Sequence, residues 1–206
     1  MPRGLTPDQV VDRAAALVDA DGLESLTLAG LAEHLGVRTP SLYNHVGGLA
    51  DLRRRLGLRG LQELADRLRS ATLARTGDDG LLALASAYRA FAREHPGLYQ
   101  AVQRAPAAGD DERAAGAAAV LEPLLAVLHS YGLEGDDAVH AARGVRSALH
   151  GFAELERGGG FGIDLDLDES YRRLVGALGA GLRTPLRSGG GADGRHLRRS
   201  RESPRA

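Results

Sequence analysis

Threonine stands immediately before proline at Thr6-Pro7 and again at Thr39-Pro40, and glycines fall at Gly22, Gly36, Gly47 and Gly48. A threonine cap followed by proline starts a helix, because proline's missing N–H is unneeded there and its φ is already helical. Glycine ends one, because it alone takes a left-handed backbone at little cost. This punctuation cuts the first fifty residues into three short helices. Thr6-Pro7-Asp8-Gln9 reads as a full capping box, and Val10, Ala14, Leu17 and Val18 share the face of the helix that follows. A second helix starts at Thr27 with Leu28, Leu31, Ala32 and Leu35 as its buried stripe, and ends at Gly36. The third begins at the Thr39 cap only three residues later.

Beyond Gly48 the pattern lengthens. Leu49, Leu52, Leu56, Leu61, Leu64, Leu68 and Ala71 recur at three- and four-residue steps, predicting one long helix to about Thr72 with a bend or a close approach at Gly57 and Gly60. Asp78 is placed to cap a helix reaching His95, where Pro96 stops it. Leu98 to Gln103 fits a short helix, residues 104–113 a linker, and Ala114 to His129 a helix kinked at Pro123. Asp136 is placed to cap a helix to about Glu156, and Asp168 one to about Leu182. Strand alternation is absent, so the fold class is all-α. Aromatics make up 4% of the 206 residues, so the core rests on Leu, Ala and Val. The last stretch, 184–206, holds six arginines against Asp193 and Glu202 with no apolar periodicity, and is expected to be a disordered basic tail.

Other classes are narrowed by what the chain holds. It has no cysteine, which excludes disulfides and thiolate metal sites. No apolar run approaches the roughly 20 residues of a membrane span, and "MPRGLTPDQ" is not a signal peptide. These features predict a cytoplasmic protein with no membrane partner. All basic residues are arginine, and the formal net charge is −1. Seven arginines balance seven acids in the first sixty residues, but Arg38, Arg53, Arg54, Arg55 and Arg59 come late while six of the acids come before Arg38. A neutral total can therefore hide a positive face. His150 and Glu154 lie one turn apart without a third ligand, which favours an interhelical hydrogen bond over a metal site. "DLDLDES" lacks the glycine and closing Glu of a calcium loop, and reads as a helix-capping loop. "GGGFG" is not a phosphate loop. No cofactor, metal or catalytic residue is expected, and no nucleophile–base pair supports an enzyme.

Two helices joined by a tight glycine turn, the second short, form a helix-turn-helix. Leu42 and Val46 face inward. That leaves Thr39, Ser41, Tyr43, Asn44 and His45 outward, where Asn pairs with adenine, Ser and Thr reach base edges, and Tyr and His bond phosphates. By itself this pattern balances evenly between a DNA reader and a solvated hairpin.

"TLAGLAEHLGVRTPSLYNHVGGLADL" resembles the DNA-binding domain of the TetR (tetracycline-repressor-like) transcriptional regulators, with "LYNHV" its most specific part. The resemblance runs from about Thr6 to Leu56. It implies that Thr39, Pro40, Ser41, Asn44 and His45 read bases or line the groove, that Tyr43 and His45 grip phosphate, and that Thr27 caps the helix crossing the backbone. Two places depart: Leu49 stands where the family usually has lysine, and Ala29 where it often has arginine or another polar group. Arg38, Arg53 or the tail is then the expected substitute. More loosely, residues 81–182 resemble the family's ligand-binding and dimerising domain of the type named for a Trp-His-Gly motif, here Leu149-His150-Gly151. The resemblance implies a homodimer through helices near 136–156 and 168–182, a palindromic operator in double-stranded DNA, and an unidentified small-molecule effector.

The expected partition is 1–48 for DNA binding, 49–74 as a connecting helix, 75–183 for ligand binding and dimerisation, and 184–206 as tail. Aromatics concentrate in the third part, so Tyr88, Phe91, His95, Tyr99, Tyr131 and His150 are the candidate pocket, with Leu98, Val102, Leu121 and Leu125. Any one of them is more often plain core. The alternative function is an all-helical small-molecule carrier or enzyme that keeps the helix-turn-helix as structure.

Overall fold

Thr6 opens the fold with both halves of its capping box: its hydroxyl accepts from the Gln9 amide at 3.3 Å, and its own amide donates to the Gln9 side chain at 3.0 Å. Helix α1 (Pro7–Asp21) follows and buries Val10, Ala14 and Val18. The computed structural model describes residues 5–105 and 107–184, and every regular element in them is helical. The tail expected at 184–206 falls, beyond Thr184, outside the described residues. A single 3₁₀ turn (Leu23–Ser25) leads to α2 (Leu28–His34), whose first turn Thr27 caps by accepting from the Gly30 amide at 3.0 Å. Gly36, at φ +67°, reverses the chain, and the Val37 amide closes back on the Ala32 carbonyl at 3.0 Å. Helix α3 is only Thr39–Leu42.

Helix α4 (Leu49–Thr72) is the spine, packed against α1, α5 (Gly77–Glu94), α6 (Pro96–Val102) and α7 (Asp111–His129). Helices α8 (Gly135–Arg157) and α9 (Leu167–Leu182) pack on α5 from the other side. Helix α7 runs unbroken through Pro123. The glycines of α4 are there for closeness. A methyl group on Gly57 would overlap the Arg113 guanidinium, and one on Gly60 would sit 2.7 Å from a Val102 methyl.

Several predicted caps are corrected. Arg38 is the last extended residue (ψ 141°), so it takes the cap position of α3, and Thr39 already lies inside the helix without a side-chain cap bond. Asp78 turns away from the start of α5 because it accepts from Tyr131 at 2.6 Å and pairs with Arg183. Helix α8 begins at Gly135 with no side-chain cap, and Asp136 serves only as a negative charge in its first turn. Asp166, not Asp168, caps α9, because Asp168 pairs with Arg89 at 2.8 Å. Helix α7 starts three residues earlier than predicted, since Asp110 accepts from the Arg113 amide at 3.2 Å.

Arg89 explains how α5, α8 and α9 hold together. It is buried, forks onto Glu156 at 2.8 and 2.6 Å, and lies over the rings of Phe152 and Tyr171 at 5.3 and 4.8 Å. A planar guanidinium serves both kinds of contact at once.

Helix α6 takes its caps from its neighbours. At its start the Asp19 carboxylate of α1 accepts from the amides of Gly97 (2.9 Å) and Leu98 (3.0 Å), while its other oxygen meets His95 Nδ1 at 2.9 Å. A carboxylate only accepts, so that histidine nitrogen carries the proton. At its end Arg113 of α7, itself buried, donates to the carbonyls of Ala101 (2.7 Å) and Arg104 (2.9 Å). Asp19→Ala, which strands two helix-end amides, is expected to cost about 2 kcal/mol. Gly57→Ala, which displaces the Arg113 guanidinium, is expected to cost about 2 kcal/mol by overpacking. Both are read from urea unfolding midpoints at unchanged slope.

Candidate nucleic-acid interface

The segment from Arg38 to His45 divides by burial. Leu42 and Val46 are in the core at 0% and 2% exposure, whereas Tyr43 is 61% exposed. Arg38, Pro40 and Asn44 are exposed, and Thr39, Ser41 and His45 are half-buried. The helical turn is carried past α3 by His45 and Val46, whose amides both donate to the Leu42 carbonyl, at 2.9 and 3.0 Å. Between Arg38 and His45 only Leu42 is buried. Thr27 is exposed at the start of α2, its hydroxyl spent on the cap. Ala29 is exposed beside it. Leu49, where the resemblance expects lysine, is half-buried and packed against the core as the first residue of α4.

The arginine run of α4 does not make a positive face. Arg53 reaches Glu24 at 3.4 Å and the Leu23 carbonyl at 3.5 Å. Arg54 forks onto Asp110 at 2.9 and 2.7 Å and also meets Glu112 at 2.9 Å, which holds the Asp110 carboxyl below its usual range. Arg55 pairs with Asp51 at 2.9 Å, and Arg59 with Asp12 at 3.6 Å. Asp51 also accepts from the Gly47 amide at 2.8 Å, fixing the turn into α4. Arg53 is thus partnered across to the turn before α2, through an exposed Glu24. Of these five arginines, Arg38 alone has no carboxylate partner among the described residues.

In the C-terminal helices a cavity of about 280 Å³ lies between α4, α5, α6, α7 and α8. Leu61, Leu64 and Leu68 of α4 form one wall, and Leu84, Val102, Val120, Leu121, Leu124 and Leu149 most of the rest. Its polar lining is Tyr88, Gln103, Arg104 and Arg146. Of the six aromatic and histidine candidates, Tyr88 lines this space. Tyr99 and His150 are linked to it: the Tyr88 and Tyr99 hydroxyls are 3.1 Å apart, and the Tyr99 hydroxyl is 2.6 Å from His150 Nδ1. Burial pushes both phenols above their ordinary range, so both keep their protons at neutral pH. Phe91 is fully buried core. His95 belongs to the junction with α1, its Nε2 facing Arg67 at 2.9 Å and Glu63 at 3.1 Å. Tyr131 bonds Asp78.

Sequence reasoning missed Gln103 and Arg146. A readable sign existed for Arg146: no acid lies three or four residues from it on either side. His150 and Glu154 also part company, His150 to Tyr99 and Glu154 to Arg157 at 2.6 Å. Among the described residues no cluster of His, Asp or Glu is arranged to hold a metal, and no helix is long and apolar enough to cross a membrane.

Known proteins share this architecture. Residues 81–178 match the family described as Tetracyclin repressor-like, C-terminal domain. The chain is 41% identical over 192 residues, 93% of its length and 88% of the relative's, to "Uncharacterized HTH-type transcriptional regulator Rv0681" of Mycobacterium tuberculosis. It is 34% identical over 143 residues to the HTH-type transcriptional repressor DrrR1 of Streptomyces coeruleorubidus, covering 66% of this chain and 48% of that one. A crystal structure of a TetR variant from Acinetobacter baumannii in complex with minocycline superposes with a TM-score of 0.63 at 22% identity, covering 88% of this chain and all of the other. A capped helix-turn-helix on an α-helical body, with this identity over nearly the whole length of a relative, places the chain in the TetR family of transcriptional regulators.

Proposed function

We propose that this regulator is a homodimeric repressor that holds a palindromic DNA operator through α3 and releases it when a small molecule occupies the C-terminal cavity. The observation that carries this reading is the split in one short segment: Leu42 and Val46 buried, Tyr43 and Asn44 held out from the surface. In this reading residues 1–48 bind DNA, 49–74 connect, and 75–183 bind ligand and dimerise. Thr39, Pro40, Ser41 and Asn44 face base edges, Arg38, Tyr43 and His45 the phosphates, and Thr27 orders the helix that crosses the backbone.

One such segment touches too few bases for specificity. A two-fold pair set about 34 Å apart reads both half-sites of a palindrome. Helices α8 and α9 suit the pairing. Gly144 and Gly151 on α8, and Gly176 and Gly181 on α9, have nothing within 4 Å of where a side chain would begin. Helices can approach closely there. Leu174, Leu178 and Leu182 lie half-buried along α9, and Leu155 is exposed near the end of α8.

The effector part is supported by the position of α6, whose last residues line the cavity while its first are bonded to α1. A ligand that favours the DNA-incompetent arrangement would lower operator affinity through this link. That a relative is named a repressor, and that a TetR was captured with minocycline, support the same reading. The protein then works in the cytoplasm, where its operator is.

Tyr43→Ala combined with Asn44→Ala is expected to weaken binding to the DNA flanking the protein's own coding region by about 30-fold or more. Arg38→Ala should reduce the salt slope by about 2 per dimer, one phosphate from each copy. Both are measured by fluorescence anisotropy across a salt series, and no binding by the intact protein at low salt would sink the reading. Gly144→Arg with Gly151→Arg is expected to give a monomer in sedimentation velocity and to lose operator binding, with helicity unchanged. A wild-type chain that sediments as a monomer would overturn the dimer.

A further inference from the structure

The cavity has an apolar body and a polar end whose charged lining residues are both arginines, with the Glu154 carboxylate behind Tyr88. Leucines such as Leu64, Leu84 and Leu149 form the body, and Tyr88, Gln103 and Arg146 the polar end. Two arginines line the space, and they differ. Arg104 is held by Glu24 at 3.1 Å. Arg146 meets only the Gln103 side-chain oxygen, at 3.3 Å, and has no carboxylate partner among the described residues. Glu154, further along α8, is held by Arg157.

The charged group at this end only donates. A guanidinium has five N–H groups and no acceptor. Gln103 accepts from Arg146 through its oxygen, and its amide is turned toward the Tyr88 hydroxyl. The Tyr88 phenol, close enough to Arg146 and Gln103 to feel both, ends a chain that runs back through Tyr99 to His150. This chain can run in either direction; when His150 Nδ1 carries a proton and donates to the Tyr99 oxygen, and the Tyr99 hydroxyl donates to Tyr88, the Tyr88 hydrogen is free for an acceptor in the cavity. A volume of about 280 Å³ sits at the lower edge of small-molecule pockets, which start near ~300 Å³. It suits a medium-length tail better than a fused-ring compound.

We propose that the cavity takes a small anionic amphiphile, a monocarboxylate whose head meets Arg146 and the Tyr88 hydroxyl and whose tail lies among the leucines. This rests on the effector reading given above and specifies its chemistry. A neutral alcohol with the same tail fills the same apolar surface but leaves Arg146 unanswered, and a cationic head is repelled.

The test titrates decanoate, decan-1-ol and decyltrimethylammonium onto the full chain by isothermal calorimetry at neutral pH. Decanoate is expected to bind at least ten-fold tighter than decanol, and the cation not to bind. Arg146→Gln, an exposed position that leaves the fold intact, is expected to abolish the decanoate advantage while decanol binding stays unchanged. Ala117→Leu, with Val120→Trp as the more drastic filler, should weaken decanoate and decanol alike. Equal or tighter binding of decanol, or a preference that survives in Arg146→Gln, overturns the anionic class while leaving the cavity as an effector site. Binding untouched by both cavity fillers overturns the assignment to this cavity. No binding of any probe to the intact protein overturns the amphiphile assignment, while the effector reading is decided separately by whether a ligand bound in this cavity releases the operator.

Discussion

A seven-residue helix is too short to sustain itself in water, and α6 carries no side-chain cap of its own at either end. It is held by Asp19 from α1 at one end and by Arg113 from α7 at the other. The rest of the molecule is arranged around that dependence. Arg113 reaches the end of α6 only because Gly57 leaves room for it across α4. Asp19 reaches the other end only because α1 lies directly on α6. One small helix thus forms part of the cavity wall and of the seat of the helix-turn-helix, and neither neighbour can move without altering its caps.

The charge distribution gives the family's usual chemistry a particular accent. The chain is nearly neutral, and the arginines that follow α3 are spent on Glu24, Asp110, Asp51 and Asp12. Arg54 fastens α4 to the start of α7, Arg59 to α1 and Arg53 to the 3₁₀ turn, while Arg55 pairs within α4. What remains at the proposed DNA edge is an amide, hydroxyls, an imidazole and a single guanidinium. Such an edge discriminates by hydrogen bonds more than it attracts by charge, so it gains little from counterion release.

Local signals were legible in the sequence. The Thr6–Gln9 box, the Gly36 reversal and the inward pair Leu42 and Val46 depend on residues within one or two turns of each other, and they stand as read. Signals that compete with distant partners were not. Asp78 and Asp168 each sit where a cap belongs, yet Tyr131 and Arg183 claim the first and Arg89 the second. The pocket shows the same limit. Periodicity puts Tyr88 and Phe91 near one face of α5, but only packing shows that Tyr88 borders a space and that Phe91 fills one. The leucines of α4, whose spacing predicts a long helix, serve both core and cavity. Arg53 looked free because its partners, Glu24 and the Leu23 carbonyl, lie about thirty positions away.

One contact near the start of α6 has a mechanical meaning. Gly97 lies against the backbone of Val18, so closely that a side chain there would run into the Val18 carbonyl. Side chains between helices normally act as cushions, since they can change rotamer and soak up a small displacement. Here there is no cushion. Two main chains touch, flanked by amides fixed to Asp19, and a slight shift of α6 has no soft layer in which to be lost. The contact between α1 and α6 is therefore stiff.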